Sequence, residues 1–178
     1  MAHLLAREGR GLACSGLVLV DTVYISPARL LGSGVNSNYK IVAPTMPADM
    51  PPGTRDEILA SLVRANVLCS SWQPPLWDNC KMPSAVLLRA MDSIPQAAPP
   101  GSDDTSSGTE EADGNMSKCR LDALRDLDDL GWDETQPGLV RSVVHTPGHH
   151  YALFADENIS STTESLKQAL RQLEGGNL

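Results

Sequence analysis

Long apolar runs are missing from this sequence: no stretch approaches the roughly 20 residues that a membrane-spanning helix needs. A secretory leader is not expected either, because MAHLLAREGR carries charges where such a leader has its apolar centre. These two absences read as a soluble, cytoplasmic protein with no membrane partner. Basic clusters are also lacking. The 14 Lys and Arg residues are scattered among 22 Asp and Glu residues, for a formal net charge of -8. Phosphate binding requires a basic face, so nucleic acid is excluded as a partner. The four cysteines, Cys14, Cys69, Cys80 and Cys119, form no C-x-x-C pair, which argues against a zinc site and a disulfide framework. The expectation is reduced, mostly buried thiols, with no metal and no cofactor.

What is present fits one domain, since 178 residues can bury a sizeable core but not two well-separated ones. Three short apolar runs, SGLVLVD (15–21), SAVLLRA (84–90) and GLVRSVVHT (138–146), have the continuous hydrophobicity of strands covered on both faces. Separated and followed by helical segments, they predict an α/β fold, with an open parallel sheet of about three strands joined by crossovers. The last helix is read from Leu166, Ala169, Leu170 and Leu173 at helical spacing, ended by Gly175 and Gly176. At the other end Met1, Leu4 and Leu5 also recur at helical spacing but have no capping residue before them, so that helix reads as cut rather than started.

Two segments interrupt the pattern. Residues 26–80 form a long insertion between the first two strands, in which RDEILASLVRANVLCSSW predicts an amphipathic helix with Ile58, Leu59, Leu62 and Val63 on one face. An insertion above the carboxyl edge of a sheet makes either a lid over a substrate pocket or a packing subdomain. Its Trp72 and Trp77 suit a pocket wall, although core positions are commoner for tryptophan. Residues 95–118 are Pro, Gly, Ser, Thr, Asp and Glu with almost nothing to bury, and predict a disordered acidic loop.

Chemistry is suggested by Asp21, which ends the first strand, and His150, which follows the third across a Pro-Gly turn. Both fall on the carboxyl edge of a parallel sheet, where ligands bind. An aspartate that fixes an imidazole tautomer is the acid–base half of a catalytic triad. Taken alone, an Asp at a strand end is commonly a cap or turn residue, and a His after Pro-Gly commonly a loop residue.

The motifs MAHLLAREG, GLVLVDT, PSAVLLRAMDS, LGWDE and VVHTPGHHYALF, in this order, resemble the C-terminal part of the thioesterase domain of fungal polyketide synthases and peptide synthetases, an α/β-hydrolase-type fold. The resemblance implies that Asp21 is the triad acid and that His150 of GHHY is the base, with His149 a neighbour of no assigned chemistry. It implies a truncated α/β-hydrolase-type sheet with a helical lid, acting on an acyl thioester held by a carrier domain or polyketide synthase. The fold's serine lies in a G-x-S-x-G elbow ahead of the acid, and none of the 178 residues forms that pattern. Because MAHLLAREG resembles the later turns of the helix behind the elbow, the nucleophile is expected upstream of Met1 and the first strand becomes a sheet edge. Cys14 and Ser15 precede the first strand, at the edge opposite Asp21. Ser26 and Ser33 belong to the insertion, so none of the four is placed to substitute. Two other readings stay open: a non-catalytic remnant that binds a synthase or carrier domain, and an esterase acting on a different ester.

Overall fold

The computed structural model describes residues 14–26, 46–47, 49–77, 81–95 and 119–175. The helix expected at the N-terminus, the acidic stretch from residue 96 to 118, Ser33 and Cys80 lie outside the described residues.

Three parallel strands, β1 (Leu17–Val20), β2 (Ala85–Ala90) and β3 (Val140–Thr146), form one sheet in the order β1-β2-β3. Leu17 to Val20 pair with Ala85 to Leu88, and Ala85 to Ala90 pair with Val140 to Thr146, with one irregularity between Ala85 and Val86. The central strand is apolar because it meets protein on both faces: Ala85, Val86, Leu87 and Leu88 have no solvent exposure. The period-2 alternation of side chains divides the core in two. One face packs Ala85, Leu17, Leu19 and Val140 against Tyr24, Trp132 and Leu139. The other packs Val18, Val86, Leu88 and Val144 against Ala169, Leu166 and Leu173, which belong to the helix α2 (Ile159–Glu174). The helix spans all four residues read at helical spacing, and of these Leu170 falls off the buried stripe and is half exposed.

The first connection contains α1 (Pro52–Ser71). Pro52 suits the first helical turn, where an amide has no partner to lose. Trp72 leaves the helix in extended backbone, and Pro74 and Pro75 prevent its continuation. The buried stripe of α1 differs from the expected one: Ile58, Leu62 and Asn66 are half-buried, whereas Leu59 and Val63 are exposed. The second connection carries a short 3-10 turn at Arg120–Asp122 and a chain of tight turns. One of these places Gly131 at φ +90, where a β-carbon would collide with the Tyr24 carbonyl. The chain passes this close because the Tyr24 amide donates to the Leu130 carbonyl at 3.0 Å.

No helix among the described residues is long and apolar enough to cross a membrane.

Candidate active site

Asp21 directly follows β1, and its backbone turns into the left-handed region (φ +43) that Asp tolerates better than most residues. Its amide donates the last bond of the ladder, to the Leu88 carbonyl at 2.7 Å. The side chain, without solvent exposure, therefore points along the carboxyl edge. The end of β3 is fastened to the end of β2 when the Met91 amide donates to the Thr146 carbonyl and the Asp92 amide to the Gly148 carbonyl. Gly148, at φ +92, makes the turn that delivers His150, and a β-carbon there would press on the Asn158 side chain.

Asp21 and His150, 129 residues apart in sequence, meet with Nδ1 3.0 Å from Oδ2. The carboxylate has three further donors: the Ala90 amide to Oδ1 at 2.9 Å, Arg125 Nη1 to Oδ1 at 2.6 Å and Arg125 Nη2 to Oδ2 at 2.5 Å. Burial alone would raise the carboxyl above its ordinary value. The hydrogen bonds from His150, Arg125 and the Ala90 amide, with the charge of Arg125, outweigh it and hold Asp21 down at about 2. An ionised carboxylate only accepts, so His150 Nδ1 must carry the proton. In the neutral imidazole Nε2 is then the acceptor, free to take a proton from an attacking group. The ring is partly exposed, and Tyr151 packs edge-on to it with centroids 5.1 Å apart. Burial, and then the neighbouring Cys119 and Asp122, push the Tyr151 phenol up from its usual value.

Arg125 was not singled out from sequence. Besides gripping Asp21 it donates from Nη1 to the Ala90 carbonyl (3.0 Å) and from Nε to Asp122 Oδ1 (3.0 Å). Burial would lower the guanidinium, but its bonds to Asp21 and then Asp122 raise it above its ordinary value. Asp122 Oδ2 in turn accepts from the Ile94 amide at 2.8 Å, and the Arg125 carbonyl accepts from Arg89. The only sequence signal was the i, i+3 spacing of Asp122 and Arg125. Nothing in that spacing indicates that the guanidinium reaches a carboxylate 104 residues earlier. Chemically, Arg125 fixes Asp21 in a planar fork and compensates its charge, so Asp21 supplies the imidazole with orientation more than with net negative potential.

The other sequence candidates stand elsewhere. Ser15 is exposed and six residues before Asp21 along an extended segment, about 20 Å away. Cys14 donates its thiol to the Gly16 carbonyl beside it. The Ser26 hydroxyl is committed to Glu134 at 3.0 Å. His149 is not brought to Asp21, and its Nδ1 is buried with no hydrogen-bond partner. Of the described cysteines only Cys119 is buried; Cys14 is half-buried and Cys69 exposed, contrary to the expectation of mostly buried thiols.

His150 opens onto a cavity of about 420 Å³. Asp21, His150 and Tyr151 are among its lining residues, and Tyr24, Trp132 and Trp72 supply aromatic wall. Helix α1 contributes Ala65, Asn66 and Cys69. It is held there by Arg120 Nη1, which donates to Asn66 Oδ1 at 2.8 Å and to the Asn66 carbonyl at 3.4 Å. Trp72 thus faces the pocket, whereas Trp77 is no part of its lining and donates Nε1 to Gln136 Oε1 at 2.8 Å.

No family model matches the chain. It is similar to the thioesterase frbD of Dothideomycetidae sp. (strain 11243), 26% identical over 162 residues that cover 89% of this chain and 55% of that protein. It is also similar to the thioesterase AMT4 of Alternaria alternata, 27% identical over 176 residues that cover 98% of this chain and 56% of that protein. The chain spans about half the length of these fungal relatives. Among solved structures it resembles the NocB thioesterase domain in covalent complex with a fluorophosphonate nocardicin G analogue. The TM-score is 0.51 and the identity 22%, and the match covers 96% of this chain and 59% of that one. This is a likeness of fold, the α/β-hydrolase type expected from the sequence.

Proposed function

We propose that this chain carries the acid–base half of a thioesterase site, in which Asp21 orients His150 and His150 activates a serine to release an acyl group from a carrier-bound thioester of polyketide or peptide synthesis. The observation that carries the reading is the 3.0 Å contact from Nδ1 to Oδ2 in the lining of the cavity, and the similarity to fungal thioesterases supports it. The serine is assigned outside these 178 residues, because none of them stands in a G-x-S-x-G elbow. In the first step the serine oxygen attacks the thioester carbon while its proton passes to His150 Nε2. The departing thiolate then takes that proton and leaves an acyl-serine. Water attacks the acyl-serine, gives a proton to the same nitrogen, and the carboxylic acid leaves as the serine is reprotonated.

The test is hydrolysis of acyl thioesters by the protein with the serine-bearing part of the site supplied, either encoded ahead of this sequence or added as a second chain. The reading expects turnover that falls about ten-thousand-fold in Asp21→Asn and at least as far in His150→Ala. Turnover unchanged in both variants overturns the site. A second reading, a non-catalytic module that binds a synthase or carrier domain, is favoured by the missing elbow motif. It expects no turnover above background and no labelling by a fluorophosphonate. Faster turnover of oxygen esters than of thioesters would keep the site and change the substrate.

A further inference from the structure

The aromatic rings of the cavity are arranged as a corner. Tyr24 and Trp132 lie 5.3 Å apart at an interplanar angle of only 30°, an offset stack that forms the floor of the corner, and both are at least nine-tenths buried. Trp72 stands across them, 81° from Tyr24 at 5.7 Å and 71° from Trp132 at 6.3 Å, and is 47% exposed. The floor is locked: the Trp132 indole donates Nε1 to the Thr22 carbonyl at 2.8 Å, one residue beyond Asp21. Two aromatic surfaces at a near right angle let a planar ring stack on one and meet the other edge-on, the two geometries that aromatic quadrupoles favour. A flexible saturated chain gains neither and loses rotamer freedom on entering. Charge does not suit this pocket. Its carboxylate is held by Arg125, and its lining cation, Arg120, already donates to Asn66. A volume of about 420 Å³ falls toward the small end of the range for small-molecule sites, roughly 300 to 1,000 Å³.

We infer that the corner made by Trp72 against Trp132 and Tyr24 is an acyl-selecting wall that takes an uncharged, planar aromatic or conjugated acyl group and presents its carbonyl to His150. This rests on the thioesterase reading for the identity of the carbonyl compound, but not for the shape of the pocket.

The test separates the two. Non-hydrolysable amide analogues of a carrier-bound thioester, N-acyl-N′-acetylethylenediamines, are titrated calorimetrically into the full protein with three acyl groups: cinnamoyl, its saturated counterpart 3-cyclohexylpropanoyl, and succinyl. Cinnamoyl is expected to bind about three- to tenfold more tightly than the saturated group, although it is the less hydrophobic of the two, and succinyl more weakly than either. In Trp72→Leu the advantage of cinnamoyl is expected to disappear, with the protein still folded by circular dichroism. Equal or weaker binding of cinnamoyl, no binding of any analogue, or a preference that survives Trp72→Leu overturns the inference. A cinnamoyl preference with no hydrolytic turnover even when the serine-bearing part of the site is supplied sinks the thioesterase reading and leaves the wall standing. Turnover that needs His150 without any such preference does the reverse.

Discussion

Replacing Arg125 by methionine keeps the length of the side chain but removes two of the four donors to Asp21, leaving a fully buried carboxylate with only the Ala90 amide and His150. In the native protein those donors together hold Asp21 from an ordinary 3.8 down to about 2, which corresponds to about 2 kcal/mol of folding stability. Taking one partner from a buried ion pair costs more than the net value of the pair, about 3 to 5 kcal/mol, because the other charge stays buried without compensation. For a chain of this size that is a fall in Tm of about 6 to 20 °C. Asp21→Asn also destabilises, since an amide nitrogen then faces the guanidinium. In Asp21→Asn/Arg125→Met neither charge remains, so the double variant is expected to lose less than the sum of the single changes, by about 1.5 kcal/mol or more. The assay is urea unfolding of the four proteins at pH 7 with a common m value. Additivity within about 0.5 kcal/mol would show that the two residues do not act as a pair and would refute the reasoning.

The stability carried by Asp21 also has a defined pH dependence: a depressed carboxyl contributes fully above pH 3.8 and loses its contribution as pH falls through about 2. Acid titration of unfolding free energy should show that loss between pH 4 and 2 in the native protein and a smaller or reversed change over the same range in Arg125→Met, and an identical profile in the two would count against the pairing. Gly131→Ala should destabilise by more than about 1 kcal/mol, because it adds a β-carbon at φ +90 against the Tyr24 carbonyl; a neutral effect in thermal unfolding would contradict the close approach. Leu88→Ala, in the unexposed centre of β2, should cost about 2 to 5 kcal/mol in the same measurement. Trp132→Phe should lower the unfolding free energy by about 1 to 3 kcal/mol through the lost bond to the Thr22 carbonyl.

The three strands were legible because strands buried on both faces leave uninterrupted apolar runs, and SAVLLRA gives β2 within one residue of its start. Asp21 and His150 were legible because parallel strands put their ends on one edge, so position in the chain becomes position at the site. Arg125 was not, since a guanidinium reaching across the sheet end leaves only a local charge pattern in RLDALRD. The aromatic corner was half legible. Trp72 had been weighed as a pocket wall or as core, whereas Tyr24 and Trp132 sit in segments whose turns alone decide that their rings come together. The helix α1 was placed by its periodicity, but its inward stripe was not, because Leu59 and Val63 are as apolar as the residues that pack.

The claim on which the account turns is that an ionised Asp21 holds the His150 proton on Nδ1 and leaves Nε2 to act. Nitrogen-15 NMR of the imidazole rings at neutral pH, with His150 assigned by its loss in His150→Ala, reads that tautomer directly. The account predicts an Nδ1-protonated ring that reverts toward the ordinary tautomer mixture in Asp21→Asn. A ring protonated on Nε2, or one indifferent to Asp21→Asn, would contradict it.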